Sequence, residues 1–173
     1  MWIKLLGIGL VCVSCAGIGG SEALRLIGRR RFLEEVKRIA AGLQGEIGYT
    51  QAVLPLALCR AGARGDGKAG KLFLMAGERL EANPECPFGS IWEAVLEKLG
   101  IRTLLGTEEW ELMRRFGSSI GYLDLEMQQK TLALDLEELE RAIEQLRREE
   151  PEKKRLCWGL GILGGLFLAV VLM

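Results

Sequence analysis

Apolar residues recur every three or four positions along most of the chain. Phe32, Val36, Ile39, Ala40, Leu43 and Ile47 form one such stripe, and Met113, Phe116, Ile120 and Leu123 form another. A third, Leu132, Leu136, Leu139, Ile143 and Leu146, does not continue the phase that Met127, Thr131 and Leu134 would give. That spacing puts each set on one helical face, and the phase break predicts a turn near Gly121 to Asp124, with Asp124 as N-cap of a new helix. Between the first and second stripes the pattern predicts three more helices. Pro55 suits the first turn of a short helix through Arg60, and Leu72, Phe73, Met75, Ala76 and Leu80 mark an amphipathic helix ended by Asn83-Pro84. Ser90 to Glu93 reads as a capping box opening a helix to Leu99, and Thr107 with Glu108 and Glu109 opens the helix that carries the second stripe. Gly42, Gly45 and Gly48 weaken the first helix, which is expected to end near Tyr49, and Pro151 stops or kinks the last, which starts near Asp124. No alternating segment competes, so the fold class expected is all-α, with about six helices in a bundle.

Both ends are nearly uncharged. Residues 5–18 contain no charge, with Lys4 on one side and Arg25, Arg29, Arg30 and Arg31 on the other; residues 156–173 contain none and follow Lys153, Lys154 and Arg155. A signal peptide or an acylated Cys15 competes for the first segment. The basic cluster behind it resists translocation, and Cys12 stands where a lipoprotein signal wants a branched aliphatic residue, so an uncleaved anchor is the reading taken. The organisation expected is a transmembrane helix over 1–27, a cytoplasmic bundle over 28–152 and a second transmembrane helix over 153–173. Gly161 and Gly165, like Ala16 and Gly20, have the small-xxx-small spacing of helix packing in membranes, although glycine is common in such spans anyway.

The composition narrows the chemistry. The hydrophobic fraction is 49% with a mean hydropathy of +0.18, owing to the two ends. Lys and Arg number 23 and so do Asp and Glu, so no basic field points to nucleic acid. The chain has no His, which removes the commonest general base and zinc ligand. Its five cysteines are scattered, and Cys12-Val13-Ser14-Cys15 lies in an apolar run where a thiolate is disfavoured. No metal site or cofactor is expected.

Residues 62–69 come within one position of a phosphate-binding P-loop, but Ala69 stands where a hydroxyl would hold magnesium and no strand precedes. A flexible, solvated connector is the plainer reading. The carboxylates Glu108, Glu109, Glu111, Glu137, Glu138 and Glu140 alternate with Arg and Lys and read as solvated helix faces. Trp92 and Trp110 read as core or interface anchors. Glu46, Tyr49, Asp124 and Gln128 sit in stretches otherwise apolar or Gly-rich. They are candidates either for polar contacts between helices or for partner binding.

Glu46-Ile47-Gly48-Tyr49 followed by Pro55-Leu56, the Trp92 helix, Phe116-Gly117, Gly121, Asp124 and Gln128-Gln129-Lys130, in this order between two apolar ends, resemble the stage III sporulation protein AB family. The glycines of residues 62–70 and of the first helix depart from that pattern. The resemblance implies a component of the channel between mother cell and forespore, in the mother-cell membrane that becomes the outer forespore membrane. It also implies a cytoplasmic domain similar to the platform proteins of type II secretion and type IV pilus systems. Such platforms adjoin a secretion-type cytoplasmic ATPase and pack with other integral membrane subunits in the lipid, with no small-molecule substrate and no enzymatic role of their own. The alternatives are a small membrane enzyme or nucleotide-binding protein using residues 62–68, and a pore-forming membrane protein.

Overall fold

The Trp92 side chain lies at the centre of the helical bundle. It is fully buried, and its ring meets Phe73 at 5.1 Å edge-on, Phe116 at 5.4 Å and Phe88 at 5.7 Å. Its indole N–H donates to the Met113 carbonyl at 2.8 Å, so the one polar atom of the ring is satisfied inside the core. The computed structural model describes the backbone of residues 2–50, 52–120 and 125–172, and the side chains of residues 24–49, 52–120, 127 and 129–151.

The elements in chain order are α1 (Trp2–Thr50), α2 (Leu54–Ala63), α3 (Gly67–Ala82), α4 (Phe88–Lys98), a 3-10 turn (Ile101–Thr103), α5 (Thr107–Ile120) and α6 (Leu125–Leu172). Among the described residues the protein is all-helical, with no strand. The stripes read from the sequence are the core. Phe32, Val36, Ile39, Ala40, Leu43 and Ile47 are buried on α1, Met113, Phe116 and Ile120 on α5, and Leu132, Leu139, Ile143 and Leu146 on α6, whereas Leu136 of the same stripe is only half-buried. The change of phase is real, since Met127 and Leu134 stand exposed. The joint between α5 and α6, with Leu123 and Asp124, lies outside the described residues.

The first helix ends where expected, at Thr50, one residue past Tyr49, its buried face outweighing the propensity cost of Gly42, Gly45 and Gly48, about 1 kcal/mol each. Other local expectations are corrected. Pro151 does not stop α6. A proline removes one intrahelical hydrogen bond, and long helical flanks on either side carry the helix through it. Ser90 is not a cap: α4 starts two residues earlier, after Pro87. Pro87 supplies an extended φ/ψ, and its carbonyl accepts the Ser90 N–H at 3.0 Å, so the first turn is in place before Ser90 is reached.

The stretch read as a flexible Gly-rich connector is instead a tight hairpin between α2 and α3. A Cβ on Gly62 would sit 2.5 Å from the Leu74 nitrogen and 2.9 Å from the Gly70 carbonyl, and one on Gly77 would sit 2.6 Å from Cys59 Sγ and 2.8 Å from the Pro55 carbonyl. Glycine is used here because the two backbones cross with no room for a side chain.

The chain divides into two units: residues 29–144, which hold the aromatic core, and residues 1–28 with 145–173. In the second unit Leu26 and Leu146 are buried and Leu24 is exposed. Among the described residues no helix is long and apolar enough to cross a membrane. The two expected spans, over 1–27 and 153–173, fall on α1 and α6, but the side chains of residues 1–23 and 153–173 lie outside the described residues, as do those of Gly161 and Gly165.

Candidate functional site

The four candidate residues separate into different roles. Glu46 occupies the edge of the buried stripe of α1, one position before Ile47, with its side chain 11% exposed. Its carboxylate accepts from Arg64 at 2.9 Å and lies 3.6 Å from the Arg60 guanidinium, which ties the end of α1 to α2. Tyr49, three residues on, has turned away from that contact and is 94% exposed. It is followed by Val53 and Leu56 at the start of α2, both exposed, so the corner between α1 and α2 presents apolar side chains to solvent.

The first turns of α6 lie beside this corner. A Cβ on Gly48 would come within 3.2 Å of the Gln129 amide nitrogen, so α1 and α6 approach closely there. Met127 and Leu134, two turns apart on α6, are 55% and 62% exposed. Gln128 lies on α6 with its side chain outside the described residues, and Asp124, immediately before α6, is outside them altogether. Thus the structure brings Glu46 and Tyr49 to one corner, makes Glu46 a helix-to-helix tie and leaves Tyr49 facing solvent.

Residues 62–68 are not arranged as a phosphate cradle. A cradle needs free, convergent backbone N–H groups. Here the Gly65 N–H donates to the Gly62 carbonyl at 2.9 Å, the Gly70 N–H to the Asp66 carbonyl at 3.1 Å, and the Asp66 N–H to the Glu35 carboxylate at 2.7 Å. Glu35 also accepts from Arg38 at 2.5 and 2.9 Å, and Arg38 in turn donates to the Arg64 carbonyl at 3.0 Å. The Arg38 hydrogen bond, with the Asp66 N–H and the Arg38 charge adding to it, holds the Glu35 carboxyl below the usual carboxylate range against a weaker opposing effect of burial.

Two residues whose sequence context suggests solvated or membrane-flanking charge are partners. Glu109, read from its neighbours as part of a solvated face, is 7% exposed and is the buried charged residue among those described. It pairs with Arg29, which belongs in sequence to the basic cluster flanking the first apolar run. Gly106 makes the pairing possible, since a Cβ there would collide with the Arg29 guanidinium and the Glu109 carboxylate. The signal was present in the spacing: Glu109 precedes Leu112, Met113 and Phe116 at helical intervals, and Arg29 precedes Phe32, Leu33 and Val36 likewise. Helical phase, rather than the charges around it, decides where each side chain points.

Elsewhere an open groove of about 510 Å³ runs between the start of α4 and α5, lined by Phe88, Gly89, Glu93, Arg114, Arg115 and Ser118. Arg114 there lies between Glu93 at 2.8 Å and Glu111 at 3.4 Å, so its charge is already balanced.

Known proteins resemble this chain in sequence and in fold. The family model for stage III sporulation protein AB matches residues 4–173. Stage III sporulation protein AB of Bacillus subtilis (strain 168) is 26% identical over 171 residues, covering 99% of each chain. A solved structure of a stage III sporulation protein AB superposes with a TM-score of 0.63 at 23% identity, covering 72% of this chain and 98% of the solved one, which is a likeness of fold.

Proposed function

This chain belongs to the stage III sporulation protein AB family, and from that premise we propose that it serves sporulation as a non-enzymatic membrane platform subunit whose helical bundle docks a secretion-type cytoplasmic ATPase. In this reading residues 1–27 and 153–173 anchor it in the mother-cell membrane that becomes the outer forespore membrane. Gly161 and Gly165 then pack the second anchor against other integral subunits of the mother-cell to forespore channel. Family membership supports the role in sporulation. The docking role draws on the exposed corner.

The observation that carries it is Tyr49. A tyrosine almost wholly in solvent, flanked by exposed Val53 and Leu56, is an unusual exposure of apolar surface in a bundle whose other stripes are buried. Aromatic residues of this kind are the ones that anchor protein interfaces, because they bring a large area at low rotamer cost. Glu46 holds the end of α1 to α2 through Arg60 and Arg64; Asp124 and Gln128 remain candidates from the sequence, with their side chains outside the described residues. Docking sites that are held by ion pairs from below and apolar on top bind through the exposed residues and fold through the buried ones.

The test is saturable binding of the purified chain to the candidate ATPase, with ATPase activity followed in parallel. Tyr49→Asp is expected to weaken binding at least tenfold with unchanged melting. Glu46→Ala is expected to lower melting first. Wild-type affinity for Tyr49→Asp would remove the α1–α2 corner from the interface, and a folded wild-type chain that fails to bind at all would overturn docking in favour of assembly through the anchors.

A further inference from the structure

Arg29 fixes where the connection between α4 and α5 lies. It pairs with Glu109 in the first turn of α5, and Gly106, the residue before α5, lies so close that a Cβ there would collide with the Arg29 guanidinium. The turn that leads to Gly106 is built to hold one shape. Gly100 takes the left-handed conformation (φ +61°) just past the end of α4, the Thr103 hydroxyl donates to the Gly100 carbonyl at 2.8 Å, and Ile101 and Leu105 are buried. Between those two anchors Arg102 and Thr103 stand exposed, with the Arg102 guanidinium 5.6 Å from the ring centre of Trp110, the residue after Glu109.

Two basic segments far apart in sequence therefore meet at one end of the bundle. Residues 28–33 carry Arg29, Arg30 and Arg31 and no acid, and residues 98–107 carry Lys98 and Arg102 and no acid. Of the nearby carboxylates, Glu109 is spent on Arg29 and Glu34 lies 2.8 Å from Arg30, while Glu97 and Glu108 bracket the second segment and are exposed. Among the described residues, Arg31, Lys98 and Arg102 enter no ion pair. In sequence, Arg30 and Arg31 come directly after the anchor proposed over 1–27, and the field of anionic headgroups beyond an anchor falls off over about 10 Å.

We propose that this end of the bundle is a membrane-binding surface, in which Lys98 and Arg102 of the α4–α5 connection join Arg30 and Arg31 of α1 in holding the anionic headgroups of the bilayer. The occupant follows from charge complementarity and from continuity: the anchor that precedes Arg29 in the chain brings a lipid surface to these cations whatever else the protein binds. Leu99 and Leu104 of the same turn are half-buried, so the surface offers apolar atoms beside its cations, as the boundary between headgroups and acyl chains requires. The rigid turn presents Arg102 without an ordering cost at the moment of contact. The inference rests on the anchor over 1–27 and is independent of ATPase docking.

The experiment is hydrogen exchange of the full chain reconstituted in phosphatidylcholine vesicles with and without phosphatidylglycerol, after retention in the vesicles through an alkaline carbonate wash has been checked. Amides of residues 99–106 are expected to exchange about fivefold more slowly with phosphatidylglycerol present, the gain that roughly one cation at an anionic surface supplies, while those of α4 around Trp92 do not change. Lys98→Gln, at an exposed position, is expected to lose part of this difference, and Lys98→Gln combined with Arg102→Gln nearly all of it. Arg102→Lys keeps it, and high salt removes it in the wild type. Equal exchange in the two kinds of vesicle by a retained chain would overturn the proposal and leave the anchors standing. A chain that is not retained would overturn the anchors and the proposal together. Slowing reproduced in phosphatidylcholine vesicles by free glycerol phosphate would assign the cations to a soluble anion and overturn the membrane surface.

Discussion

The indole of Trp92 occupies the space that a Cβ on Gly117 would fill: such an atom would lie 2.7 Å from Trp92 Cβ and nearer still to the ring. Gly117 and Trp92 are therefore one packing unit between α5 and α4, and the Phe116-Gly117 pair combines a core ring with the gap beside it. Gly117→Ala is expected to destabilise the chain by about 1–3 kcal/mol, because neither a buried ring nor a helix backbone yields easily. Denaturant unfolding measures it, and a change below ~0.5 kcal/mol would show that the ring can move.

The glycines should divide by sign. Gly62→Ala would press a methyl group into the Leu74 backbone and is expected to destabilise by about 1–3 kcal/mol. At Gly42 and Gly45 an added methyl group would meet nothing within 4 Å, so alanine there is expected to stabilise α1 by roughly 0.5–1 kcal/mol each through helix propensity. The same denaturant midpoints report all three, and a common sign would refute the distinction.

Arg29→Ala leaves the Glu109 carboxylate buried without its cation, with an expected loss on the order of 3 kcal/mol. The double replacement of Arg29 and Glu109 by Met is expected to cost much less than the two single changes together, since it removes both charges from the interior. Additive losses in the double-mutant cycle would mean that the pair does not interact.

Glu35 predicts an acid dependence. Its folded carboxyl lies below the usual range because of the Arg38 hydrogen bond, so its stabilising contribution is present above the unfolded value and is lost as pH falls through the folded one. Glu35→Gln should flatten this part of the acid limb of a melting curve and leave the α2–α3 turn less stable at neutral pH. An unchanged acid limb would show that the Asp66 and Arg38 contacts do not persist in solution.

Some of this was written into local spacing. The stripe from Phe32 to Ile47, the phase break at Met127 and Leu134, and the all-helical class follow from residue periodicity, because a helix buries whichever face repeats every three or four positions. The order of short motifs between the apolar ends also carried the family resemblance. The sequence could not disclose which glycines are loops and which are crossings: Gly62 and Gly70 read as flexibility until α2 and α3 are placed against each other and their backbones leave no room for a Cβ. Nor could it reveal that Glu109 meets Arg29 across 80 residues, that Glu46 commits its charge to α2 while Tyr49 is left in solvent, or that Ser119 faces Asp135. Those outcomes depend on contacts between helices far apart in the chain, where burial rather than residue type sets whether a charge is solvated or paired.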